Sequence, residues 1–126
     1  MLEKGLQFTS KTTVDSSNIA RVMGSGDLDV FATPSMVALM ENAAMQAVAS
    51  CLPEGSTTVG SQINTSHIKP SPLEEEVSAT ATLEEIEGRK LTFHVVARDS
   101  KGIIGEGTHI RFIVDRAKFL SKIYPG

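Results

Sequence analysis

The sequence predicts an α+β domain in which a five-stranded antiparallel sheet wraps a long, almost wholly apolar helix. Three observations carry that prediction. Residues 31–51, FATPSMVALMENAAMQAVASC, keep apolar side chains on nearly every side of a helical wheel, apart from a polar sector at Asn42, Gln46 and Ser50. From residue 57 onward the hydrophobic period drops from about 3.6 to about 2 and stays there. Two short turn sequences, EGRK at 87–90 and DSKG at 99–102, join alternating runs, and hairpins require antiparallel neighbours.

The helix has a start, a stop and one anomaly. Thr33 followed by Pro34 reads as a cap and a first helical position, and PEGS at 53–56 ends the element. The anomaly is Glu41, flanked on the wheel by Val37, Ala44, Met45 and Val48. An unpaired carboxylate in apolar surroundings costs several kcal/mol or is forced to take up a proton. Glu41 therefore requires a partner.

The remaining elements follow in order. Residues 5–15 alternate weakly and are rich in Thr, which suits an edge strand. Residues 16–29, containing MGSGDLD, read as loop with one helical turn near 18–22. A second strand over 57–68 puts Val59, Ser61, Ile63, Thr65 and His67 on one face, and KPSPL at 69–73 breaks it. A third over 75–86 points Val77, Ala79, Ala81 and Leu83 inward. A fourth over 89–98 does the same with Leu91, Phe93, Val95 and Ala97. The fifth runs over 103–115, and the tail from 116 predicts a last turn of helix. One curved sheet covers a helix on one side only, so the uncovered apolar surface predicts a homodimer.

Composition narrows the function classes. A chain of 126 residues, 40% hydrophobic and 21% charged, fits a single globular domain over 1–126. The net charge of −3, with basic residues scattered singly, argues against nucleic acid as a partner. No run approaches the ~18 apolar residues of a membrane span. The N-terminal MLEKGLQF lacks the apolar core of a secretory signal, and the lone Cys51 suits a reducing compartment, so a cytoplasmic location is expected. Three His and one Cys show no metal-ligand spacing, so neither metal nor cofactor is expected. Gly105 and Gly107 lie inside a strand pattern, which indicates a bulge or a close backbone approach rather than a nucleotide loop.

Taken singly, the polar candidates have plain structural explanations. His67 is in phase with Val59 and Ile63 and suits a core histidine, while His94 and His109 read as structural or exposed. Thr33 alone is a helix cap, and Glu41 alone is half of an ion pair. Together, Thr33, Glu41 and His67 supply a nucleophile or water holder, an orienting carboxylate and a base for one apolar pocket.

Several segments also match a known family in order and spacing. They are VFAT (30–33), the helical M-V-x-L-M-E (36–41), T-x-H (65–67), EGR (87–89) and G-x-G-T-H-x-R (105–111). The chain thereby resembles hot-dog-fold thioesterases, most closely the fluoroacetyl-CoA thioesterase branch. The resemblance implies a hot-dog fold, dimers with acyl-CoA sites at the interface, and hydrolysis of an acyl thioester to carboxylate and free thiol. It implies catalytic roles for Thr33, Glu41 and His67, and substrate contacts at Phe31, Gly60 and Arg111. It departs at Pro34-Ser35, where the family has glycine and an aromatic. The loop before Phe31 also lacks the phenylalanines of the fluoroacetyl-specific relative, which implies a different small or medium acyl group. Two other readings of such a site are a hot-dog dehydratase or hydratase, and a non-catalytic acyl-CoA binding module.

Overall fold

A computed structural model describes residues 1–126. In chain order its elements are β1 (Gln7–Thr13), α1 (Ala20–Met23), α2 (Thr33–Ala49), β2 (Ser56–Thr65), β3 (Glu76–Glu87), β4 (Lys90–Asp99), β5 (Gly102–Asp115) and α3 (Arg116–Ile123). The strict alternation in β3 and β4 builds the centre of the sheet. All eight residues expected to point inward from those strands are buried. The hairpin between them turns at Gly88, whose φ of 64° lies in the left-handed region that glycine adopts without steric cost. Every strand pair is antiparallel and the order is β1-β3-β4-β5-β2, leaving β1 and β2 as edges.

The sheet curls around α2. Met36, Met40, Ala43, Ala44, Ala47 and Val48 of the helix share one buried cluster with Ala79, Ala81, Phe93 and Ala97 of the sheet. Small side chains on both surfaces let the helix backbone sit deep in the concavity. The helix packs mainly over β3 and β1, and Ser10 Oγ donates to Asn42 Oδ1 at 2.7 Å, which gives the polar sector of the helix its partner. Its other flank, carrying Glu41 and Met45, faces β2 across an open recess and is only partly buried. No helix is long and apolar enough to cross a membrane.

Three local readings change. The pairing of β2 with β5 skips a residue between Gly60 and Gln62, so Ser61 is a bulge that resets the alternation. Thr58 is consequently buried in the first half of the strand, where Val59 was expected, and Ile63 faces the core in the second half. The ladder ends at Thr65, so His67 lies just beyond the strand and not on its inward face. At the start of α2 the cap position is Ala32, with no side-chain cap, and Thr33 is already helical. The close backbone approach expected at the glycines is present: a methyl group on Gly105 would lie 2.5 Å from the Ser66 carbonyl oxygen and 2.7 Å from Met36 Sδ.

Phe93 is fully buried at the centre of this cluster. Phe93→Ala is expected to cost about 3–5 kcal/mol, measured by denaturant unfolding with an unchanged m-value.

Candidate active site

The site begins with the three residues that lead into α2. Val30 accepts from the Ala20 N–H at 2.9 Å, the Phe31 N–H donates to Ser71 at 2.9 Å, and the Ala32 N–H donates to Asn18 at 2.9 Å. Held from both sides, with the Phe31 ring buried beneath, this segment delivers Thr33 to a fixed place. With the cap position taken by Ala32, the Thr33 hydroxyl is free for other work. Its Oγ1 lies 2.7 Å from His67 Nδ1.

His67 is held equally firmly. The flanking Ser66 N–H donates to the Glu106 carbonyl at 3.1 Å, and the Ile68 N–H to that of Ile104 at 2.7 Å. Gly105 sits between these two anchors, and only the absence of a side chain there lets the segment lie so close to β5. Burial pushes the His67 pKa down, opposed in part by the backbone of Lys69, so the ring is neutral near pH 7. Its Nε2 is buried and has no hydrogen-bond partner. A neutral ring whose Nδ1 accepts the Thr33 hydroxyl proton is an arrangement suited to general-base activation. Phe31, Thr33, His67 and Ile68 help line a cavity of about 290 Å³ there.

Glu41 lies elsewhere. Eight residues further along α2 place it roughly 12 Å from Thr33 along the helix axis. It shares a second recess, of about 430 Å³, with Thr58, Gly60 and Arg111. A methyl group on Gly60 would lie 3.1 Å from Glu41 Oε2, 3.2 Å from His109 Cε1 and 3.3 Å from Arg111 Nη1, so three side chains converge on that glycine. Glu41 makes no hydrogen bond or ion pair, although its charge favours the protonated forms of both His109 and Arg111. The half-buried carboxylate meets solvent in the recess, and this is how an apolar helix tolerates it.

Within one chain, then, Thr33, His67 and Phe31 come together, and Glu41, Gly60 and Arg111 come together, but the two sets are separate. Glu41 is not the partner of His67 in the same chain. Thr58, in the second recess, and His109, buried behind it against Arg111, escaped the sequence reading, Thr58 because of the bulge and His109 because its neighbouring glycines suggested a bland face. The spacing of His109 and Arg111, two residues apart on one inward face of β5, was the available signal. His94 lies on the outer face, paired with Glu106 at 2.8 Å, and an exposed pair of this kind contributes little. No group of three or more His, Cys, Asp or Glu side chains comes together as metal ligands would.

Known structures share this architecture. A thioesterase superfamily member from Thermus thermophilus matches with a TM-score of 0.90 at 26% identity, over 98% of this chain and 92% of that one. The protein is thus of the hot-dog thioesterase class. The fluoroacetyl-CoA-specific thioesterase family matches residues 14–117. The fluoroacetyl-CoA thioesterase of Streptantibioticus cattleyicolor is 40% identical over 95 residues, 75% of this chain and 68% of that protein. The structure of the fluoroacetyl-CoA thioesterase FlK gives a TM-score of 0.91 at 33% identity, over 98% of this chain and 96% of that one. The chain belongs to the fluoroacetyl-CoA-specific thioesterase family and is a thioester hydrolase.

Gly105 carries a direct test of the placement of His67. Gly105→Ala drives a methyl into the Ser66 carbonyl and Met36, so the expected result is a folded protein with a lower melting temperature and hydrolysis slowed about 100-fold. A Gly88→Ala control, where an added methyl meets nothing, is expected to lose some stability through its positive φ and no activity.

Proposed function

We propose that this hydrolase cleaves a small or medium acyl-CoA to carboxylate and free CoA, at a site formed by Thr33 and His67 of one copy and Glu41 of a second. The observation that carries this reading is the 2.7 Å contact between Thr33 Oγ1 and His67 Nδ1. His67 Nδ1 takes the Thr33 proton as Oγ1 attacks the thioester carbonyl. Collapse of the tetrahedral intermediate expels the CoA thiolate, which takes the proton from the imidazolium. Water, deprotonated by the same nitrogen, then hydrolyses the Thr33 ester and returns the hydroxyl.

One unpaired group supports the second copy: Glu41 has no hydrogen bond or ion pair in its own chain. The β2 edge and the adjoining flank of α2 are both open, and a twofold contact along them satisfies each protomer once. Glu41 of the second copy then stands near the Thr33–His67 pair, where its charge favours the imidazolium that forms as Nδ1 takes the Thr33 proton. The cavity at Thr33 suits a short acyl chain, and the loop over 23–29 brings no aromatic ring to it. The reading takes residues 1–126 as one domain and places the enzyme in the cytoplasm, where the unpaired Cys51 stays reduced.

Thiol release across a panel of acyl-CoAs tests the proposal. Acyl groups of short to medium length are expected to be hydrolysed, with Thr33→Ala and His67→Ala lowering kcat about 100-fold or more. No thiol release from any member contradicts it. Within one chain burial holds the His67 pKa down, whereas a carboxylate from the second copy raises it, so the His67 titration followed by NMR is expected to lie at lower pH in Glu41→Gln than in the parent. A titration unmoved by Glu41→Gln contradicts the contribution of the second copy.

A further inference from the structure

Arg111 is only 7% exposed and makes no ion pair. It is held instead by neutral acceptors on its inner side. Nε donates to Thr58 Oγ1 at 2.8 Å, Nη2 to the Thr58 carbonyl at 2.9 Å, and Nη1 to His109 Nε2 at 3.2 Å. A guanidinium has donors only, so the contact with His109 requires Nε2 to be the bare nitrogen of that ring. Nδ1 then carries the proton and donates to the Gln62 carbonyl at 2.8 Å. That carbonyl belongs to the residue following the Ser61 bulge, so the irregularity in β2 and the orientation of His109 are one feature.

We propose that His109 is a positioning residue for the hydrolase: as the neutral Nδ1–H tautomer it fixes Arg111 Nη1 beside Gly60, aiming the guanidinium at the oxygen-bearing end of the bound acyl thioester. The proposal rests on the thioesterase reading and on a substrate contact by Arg111. The ring is 1% exposed, with Phe93 at a centroid distance of 6.4 Å, so it has little room to turn. Of the elements around it, β5 contributes Arg111 and α2 contributes Glu41 as charged neighbours, while Gln62 of β2 and Phe93 of β4 are uncharged. Protonating Nε2 would set donor against donor and cation against cation, releasing Nη1. Burial and the Arg111 charge both oppose that protonation, with Glu41 and the Gln62 carbonyl favouring it more weakly than burial.

The test compares His109→Gln, whose amide oxygen reaches the place of Nε2, with His109→Asn, whose shorter amide does not. His109→Gln is expected to keep kcat/KM within about 3-fold of the parent, and His109→Asn to lose about 10- to 100-fold, the scale of a misplaced contact. Arg111→Ala and the double variant His109→Asn/Arg111→Ala are expected to be equally active, because one loss contains the other. Losses that add in full, or an unimpaired His109→Asn enzyme, overturn the proposal. Nitrogen NMR of the substrate-free protein stands apart from activity. It is expected to show protonated Nδ1 and bare Nε2 on His109, with an exchange-protected Arg111 Nη1–H in the parent and His109→Gln that is lost in His109→Asn. The opposite tautomer, or equal protection in all three proteins, overturns it. A parent that hydrolyses no thioester but shows this NMR pattern refutes the thioesterase reading and leaves the Arg111 anchor standing.

Discussion

The close packing of α2 against a sheet surface of small residues is the constraint on which the rest of the molecule depends. Ala43, Ala44 and Ala47 on the helix and Ala79, Ala81 and Ala97 on the sheet are all buried in one cluster. Larger side chains at these positions would lift the helix out of the concavity, and a dense core has no slack to absorb the volume. The depth of the helix fixes the place of its first residue, Thr33. Gly105 sets the depth of the segment carrying His67 in the same way, through the contact it permits between the Ser66 carbonyl and β5. A hydroxyl and an imidazole 2.7 Å apart are therefore the product of small residues some distance from either.

The polar groups of the concave side fall into two sets, and their electrostatics differ. At Thr33 and His67 the ring is partly desolvated and neutral, which suits a base that must take a proton and return it. Around Gly60 a buried guanidinium is held by a histidine and a threonine, with a carboxylate nearby but outside ion-pair distance. A buried cation without a directly bonded anion retains its capacity to bind one, and a direct pair with Glu41 would quench it. Glu41 and Arg111 are held apart, and neither is neutralised by the other.

Much of this was legible in the amino-acid sequence, and the failures have physical causes. The alternation of β3 and β4 and the placement of the helix were readable because each rests on a local periodicity that burial enforces. The phase of β2 was misread because a single extra residue, Ser61, inverts it, and no local signal announces a bulge. Thr33 read as a helix cap because Thr before Pro is a strong cap signature. Only the tertiary contact with His67 shows what the hydroxyl does. The resemblance grouped Thr33, Glu41 and His67 by family pattern, yet one chain separates Glu41 from the other two. Sequence pattern is silent on which copy of a chain supplies each residue of a site.

The central claim is that each site draws Thr33 and His67 from one copy and Glu41 from another. Mixing two inactive variants, His67→Ala and Glu41→Gln, after unfolding and refolding them together, tests it most directly. In the shared-site arrangement half of the dimers are mixed and one of their two sites is intact. Thiol release should therefore return to about a quarter of the parent rate. Activity no higher than that of either variant alone would contradict the account and return Glu41 to its own chain.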